Sequence, residues 1–203
     1  ATDGTVGEGS VVRGPVGRRP PRPRRSVETV LFDLETQRSS KEVGGWRRSY
    51  RMLVAVGVVC HLQEGRFETF FEDRTLDLIE RLRGADLVVG FNVREFDYDV
   101  LSGYTGIDYN RKLPTLDLLE EVHRRTGRRI GMNDLARETL GVEKSADGLQ
   151  SLQWVREGRL DLVESYCRRD VEILRDLYLF GRRMGYLLYR DAEGRCLKLR
   201  VDC

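Results

Sequence analysis

Asp33 and Glu35 stand two residues apart at the end of an apolar run, in the stretch Val30-Leu31-Phe32-Asp33-Leu34-Glu35-Thr36. Side chains two apart on a strand point the same way, so the two carboxylates lie side by side. Adjacent carboxylates repel unless a cation or a proton sits between them, and the apolar lead-in anchors these two on a rigid strand. The plain alternative is a strand running out into solvent with ordinary exposed acids. Asp97 follows Gly90-Phe91-Asn92 and Phe96, where a strand ends, the chain turns at Asn92 and a helix opens. Its neighbours Glu95 and Asp99 also allow a merely acidic helix start favoured by the helix dipole. Tyr166 and Asp170 are four apart in a long helical pattern and share one face, with Leu162, Ile173 and Leu177 on nearly the same stripe. An acid on such a stripe is costly to bury unless it is paired, metal-bound or bonded to a backbone amide. Joined, these are four carboxylates and a tyrosine. Oxygen-only ligation suits Mg²⁺ or Mn²⁺ and not zinc, and four carboxylates can hold two such ions roughly 3.5–4 Å apart, the arrangement that cleaves phosphodiesters.

The elements that must carry these residues follow from apolar periodicity. Glu28–Leu34 reads as a buried strand, Met52–Leu62 as a second and Phe67–Phe71 as a third, with a hairpin turn at Gln63-Glu64-Gly65. Leucines and isoleucine at 76, 78, 79 and 82 predict an amphipathic helix over Thr75–Arg83. Asp86–Gly90 predicts a fourth strand, and Glu95–Leu101 opens a helix. Residues 116–125 and 133–140 read as helices, the latter capped by Asn133 and stopped by Gly141. Leu160–Met184 is the longest helical pattern, and Tyr186–Tyr189 with Cys196–Val201 forms a closing hairpin around Asp191-Ala192-Glu193-Gly194. Three strands first, then helices alternating with strands, predict an α/β domain with a mixed sheet.

The 203 residues suit one domain or one domain plus a tail. A hydrophobic fraction of 40% beside 33% charged residues excludes wholesale disorder, and no apolar run reaches the ~18 residues of a membrane helix. Residues 1–26 hold six arginines against Asp3 and Glu8, with Pro15, Pro20, Pro21 and Pro23 among glycines. They read as a disordered basic tail, either a solvated linker or an arm that touches phosphate, ahead of a folded domain over 27–203. The formal net charge of +2 therefore comes from the tail at +4, which leaves the domain at −2. Phosphate affinity of the domain then rests on bound metal and on local arginines such as Arg94, Arg168 and Arg169. Cys60, Cys167, Cys196 and Cys203 are scattered and only two histidines are present, so a zinc site and a disulfide framework are both disfavoured. With no apolar stretch of a secretory signal at the start, the expected setting is cytoplasmic.

The ordered text FDLET, GFN with FD following, and YxxxD resembles the DEDD superfamily of 3′–5′ exonucleases in its tyrosine branch. Four residues separate Asn92 from Asp97, similar to the proofreading domain of B-family DNA polymerases. The downstream GMNDLARETLGVEKS and SYCRRDVEILRDLY look more like stand-alone bacterial YprB-like domains, some of which work beside a superfamily-2 helicase. The resemblance covers about residues 28–190. The histidine branch would place His five residues before Asp170, where this chain has Ser165. The resemblance implies an RNase H-like fold: a mixed central sheet, three antiparallel strands and then parallel strands, with helices on both faces. It implies two-metal-ion hydrolysis of single-stranded DNA or RNA from its 3′ end, releasing nucleoside 5′-monophosphates. Asp33 would bridge two divalent cations (Mg²⁺ or Mn²⁺), Glu35 and Asp170 would hold the one on the nucleophile side, and Asp97 would support the other through its water shell. Tyr166 would orient the attacking water. Thr36 is the expected contact to the terminal 3′-OH. Asn92 either joins it in binding substrate or braces the loop that carries Asp97. Phe91 and Phe96 stack on a base or pack in the core. A helicase is an expected partner. Two other functions fit the same residues: a nucleic-acid-binding module without catalysis, and an endonuclease of the same fold.

Overall fold

The computed structural model describes residues 27–142 and 148–202. The basic tail read over residues 1–26 lies outside them. The main sheet is built from β1 (Thr29–Thr36), β2 (Val54–His61), β3 (Arg66–Phe71), β4 (Leu87–Gly90) and β5 (Thr115–Asp117), and β6 (Tyr186–Arg190) with β7 (Cys196–Arg200) forms a separate hairpin. The helices are α1 (Ser40–Val43), α2 (Thr75–Gly84), α3 (Asp97–Thr105), α4 (Leu118–Thr126), α5 (Met132–Leu140), α6 (Gly148–Arg156) and α7 (Leu160–Met184). None of them is long and apolar enough to cross a membrane.

Strand order is β3-β2-β1-β4-β5. β1, β2 and β3 pair antiparallel, and β4 and β5 continue parallel to β1. β1 lies at the centre because its sequence is apolar on both faces. Val30, Phe32 and Leu34 pack with Leu78, Ile79 and Leu82 of α2 and with Val100 and Leu101 of α3. Leu31 packs on the opposite face with Leu118 and Val122 of α4, Leu135 of α5, and Val163, Cys167, Val171 and Leu174 of α7. Helices therefore cover both faces of the mixed sheet, as expected. Each fully buried Leu, Val or Phe contributes about 1.5–3 kcal/mol, so the two layers fix β1 firmly from either side.

The sequence reading erred where elements are short. Residues 116–125 are not one helix: Thr115–Asp117 is a strand, and α4 starts at Leu118. Three residues carry too little periodicity to reveal a strand. Asn133 does not cap α5. The cap is Gly131, whose carbonyl accepts from Leu135 N, and Gly141 ends the helix in the left-handed region as predicted. The 17 residues between β1 and β2 that hold α1 and the 3₁₀ turn Trp46–Arg51, and also α6, were not anticipated from the sequence.

Candidate active site

β1 ends at the rim of the sheet. Leu31 faces α7, so by strand alternation Asp33 and Glu35 face the same side. A register shift between Glu35 and Thr36, as the pairing with β2 passes from Val56 to Val54, twists the strand end there. α7 crosses this face and delivers Tyr166, Cys167 and Asp170 within little more than one helical turn. One carboxylate oxygen from each of Asp33, Glu35 and Asp170 lies within 4.8 Å of the others. Asp170 is 4% exposed and Tyr166 7%. The Tyr166 ring meets Trp154 of α6 edge-on at 6.2 Å. The Cys167 thiol donates to the Asp33 carbonyl at 3.3 Å, which ties α7 to β1 beside the acids. Burial, and then the charges of Asp33, Glu35, Asp170 and Asp97, push this thiol well above the usual cysteine range, so it stays protonated and donates.

The fourth acid comes from the parallel neighbour. β4 ends at Gly90, where a Cβ would lie 2.1 Å from Val93 Cγ1, so only glycine allows the tight turn that follows. Asn92 takes a left-handed φ of 67°, which asparagine tolerates better than most residues. Asp117, at the end of β5, holds this turn. Its Oδ1 accepts from Asn92 N at 2.8 Å and its Oδ2 from Arg94 N at 3.0 Å. The same Oδ1 caps α4 through Leu119 N at 3.0 Å. The Asn92 side-chain oxygen accepts from Arg129 Nη2 at 2.6 Å. The turn delivers Asp97 as the first residue of α3, 3% exposed. Its Oδ1 is buried without a hydrogen-bond partner among the described residues. Burial raises the Asp97 carboxyl well above the usual aspartate range. Its own backbone amide and that of Leu34 pull it down, while the charges of Asp117 and Glu35 add to the rise.

A cavity of about 930 Å³ opens at this rim, and Asp33, Glu35, Thr36, Asn92, Asp97, Tyr166 and Asp170 all line it. Asp97 shares the cavity but stands outside the group formed by the other three acids. The Thr36 hydroxyl donates to the Arg38 carbonyl at 3.1 Å. Phe91 and Phe96 are half-buried; both line the cavity and both pack on core, Phe96 also meeting the Trp46 edge. The arginines named from sequence do not line it. Arg94 bonds the Asn110 and Thr115 carbonyls and pairs with Glu120, Arg168 lies over the Phe67 ring, and Arg169 pairs with Glu172. Among the described residues, Arg38 and Arg137 are the cations on the cavity wall, with Trp46 and Asn133 beside them. Asp117 was also missed, although an Asp three residues before Glu120 at the head of an apolar run is a helix-start signature.

The donor set fits hard divalent cations. Three carboxylates held this close repel one another unless a cation intervenes, and all of them offer oxygen. The converging group holds no sulfur or imidazole among the described residues, whereas a soft zinc or thiolate site would draw on such ligands. The buried Oδ1 of Asp97 is a further acceptor that no group among the described residues meets.

A family model described as the RNase H superfamily matches residues 30–179. No curated protein matches the chain. Among solved structures, the family B DNA polymerase from the hyperthermophilic archaeon Pyrobaculum calidifontis aligns with a TM-score of 0.57 at 15% identity. That alignment covers 79% of this chain and 25% of the polymerase chain, a likeness of fold.

Proposed function

The chain belongs to the RNase H superfamily, and from that premise we propose that it is a metal-dependent 3′–5′ exonuclease acting on single-stranded nucleic acid. The observation that carries this reading is the convergence of Asp33, Glu35 and Asp170 within 4.8 Å on a cavity that Asp97 and Tyr166 also line. Asp33, Glu35, Asp97 and Asp170 would hold two divalent cations, Mg²⁺ or Mn²⁺. When bound, such ions acidify an attacking water and offset charge on the leaving oxygen. Tyr166 orients that water with its hydroxyl, and packing on Trp154 fixes its ring. Thr36 and Asn92 line the same cavity and are the contacts we assign to the terminal sugar. Asp117 keeps the Asn92 turn in place, and with it the start of α3 where Asp97 sits. The 3′–5′ direction rests on the motif order, which resembles the proofreading domain of B-family polymerases. The likeness of the downstream text to YprB-like domains makes a helicase the proposed partner, and the scattered cysteines, read as reduced thiols, make the cytoplasm the proposed setting.

The test is a nuclease assay on matched DNA and RNA single strands labelled at the 5′ end, with Mg²⁺ or Mn²⁺. A ladder of shortened labelled products that vanishes with chelator and in Asp33→Asn and Asp170→Asn is the expected result. Cuts within a circular strand would assign an endonuclease instead. Strand binding with no metal-dependent cleavage would leave only a binding module.

A further inference from the structure

We propose that the lip formed by residues 38–51 is a subsite for the single strand on the 5′ side of the scissile bond, with Trp46 stacking on a base and a basic pocket behind it taking backbone phosphate. This rests on the nuclease reading above and adds to it the path the strand follows.

The lip carries Arg38, Lys41, Arg47, Arg48 and Arg51 against one acid, Glu42, a net +4 in 14 residues. Residues 27–203 as a whole carry −2, so −6 lies elsewhere in that span. A charge concentrated in this way beside an acidic site needs an anionic occupant. Arg38, Lys41, Arg48 and Arg51 line one cavity of about 270 Å³. Glu42, the acid on its wall, is occupied by Ser39 N and Oγ, both at 2.7 Å, and by Arg156 at 3.2 Å. Gly44, at φ +88°, admits the Arg48 guanidinium: a Cβ there would stand 3.0 Å from Nη1.

The aromatic part lies alongside. Trp46 is 70% exposed and Tyr50 44%, interleaved with arginines in Trp46-Arg47-Arg48-Ser49-Tyr50-Arg51. Successive bases stack on such rings while cations track the phosphates. Trp46 lines the acid cavity and also a neighbouring groove of about 860 Å³, and Arg38 lines both the acid cavity and the basic pocket. The two residues join the lip to the catalytic rim. The lip is also held in place. Gln37 N and Arg38 N bond the Leu53 and Met52 carbonyls at 3.0 and 3.1 Å and close its base. Asp99 of α3 accepts from Ser49 Oγ at 2.5 Å and Tyr50 N at 2.9 Å.

The experiment is fluorescence anisotropy with short oligothymidylate and oligouridylate probes. It uses the full chain carrying Asp33→Asn so that no strand is cut. Adding Trp46→Ala should weaken binding about 5- to 150-fold, and Trp46→Phe should recover much of it. Adding Arg48→Gln with Arg51→Gln should lower the salt slope of log affinity by about 0.7 for each phosphate the variant no longer neutralises. Arg169→Gln on α7 is the control for removal of one cation and should leave affinity nearly unchanged. Melting temperatures matched to the parent keep folding out of the comparison. If the unmutated chain trims strands while both lip variants bind with parental affinity and slope, the lip proposal is overturned and the nuclease reading stands. If the unmutated chain neither binds nor cuts any strand, both fall.

Discussion

Removing one charge from the acid group should stabilise the metal-free protein and weaken its response to metal, and Glu35→Gln is the cleanest perturbation. Asp33 and Glu35 are half-exposed and Asp170 is buried, with ligand atoms no more than 4.8 Å apart. Two unit charges at that distance repel by about 3.5 kcal/mol at an effective dielectric of 20 and by about 0.9 kcal/mol in bulk water. Glu35 faces both other carboxylates, so even with water-like screening its neutralisation relieves about 2 kcal/mol. For a domain of this size that raises the melting temperature by about 4–8 °C. Wild type should gain about 2.7 kcal/mol from Mn²⁺ at a hundredfold excess over its dissociation constant, and Glu35→Gln, with one oxygen anion fewer, should gain less. The assay is thermal melting of both proteins in chelator and in millimolar Mn²⁺. The variant should melt above wild type in chelator, and its gain from Mn²⁺ should be the smaller. If Glu35→Gln melts lower in chelator and both respond equally to Mn²⁺, the three acids are not a mutually repelling cation site. The metal reading would then lose its physical basis.

Tyr166→Phe keeps the ring against Trp154 and removes one oxygen. Turnover should fall roughly 10–100-fold with an unchanged melting temperature, whereas full activity with early melting would make the hydroxyl a structural bond. At Gly103 a Cβ would fall 1.9 Å from the Tyr50 carbonyl oxygen. Gly103→Ala should therefore push the lip off α3 and cost about 1–3 kcal/mol, read as a drop in melting temperature of about 2–12 °C. Glu68 tests a structural network away from the site. Burial pushes its carboxyl up, but hydrogen bonds from Arg81 and His61 and the Arg81 charge outweigh this and hold it below the ordinary 4.5. A depressed folded value means the stabilisation is complete above pH 4.5 and is lost as pH falls through the folded value. In urea titrations the deficit of Glu68→Gln should thus be largest near neutrality and shrink in acid.

The acids were legible because their spacing matches the element that carries them. A separation of two on an apolar strand and of four on an apolar helix each leave one geometry, and packing α7 on the Leu31 face of β1 brings the pairs together. The mixed sheet was legible for a similar reason, since β1, β2 and β3 are apolar runs long enough to read as strands, whereas the strand order was not read from the sequence. What stayed hidden depends on which side chains remain exposed after packing. Arg168 is chemically no different from Arg38 in the sequence, yet it lies over Phe67 while Arg38 reaches the cavity. Asn133 looked like a helix cap, but the helix begins at Met132 and the side chain lines the cavity instead. Asp117 was passed over because β5 is only three residues long and the text around it reads as helix.

The site is an exception to the tendency of a fold to keep like charges apart, and the surroundings show how that arrangement is sustained. β1 is clamped by core on both faces, so Asp33 and Glu35 cannot retreat from Asp170 without moving buried Leu31, Phe32 and Leu34. Cys167 ties α7 to the Asp33 backbone by a thiol whose own burial keeps it protonated. On the other side Asp117 spends both of its oxygens on the Asn92 turn and the start of α4. That carboxylate meets backbone amides, and its charge helps keep the neighbouring Asp97 carboxyl raised. Two kinds of acid thus share one rim. Asp117 is fully engaged and structural. Asp97, with a buried oxygen that no protein group meets among the described residues, is held where a cation would lower its energy. Because the repulsion is confined to side chains on clamped backbone, a bound cation can relieve it without a change of fold.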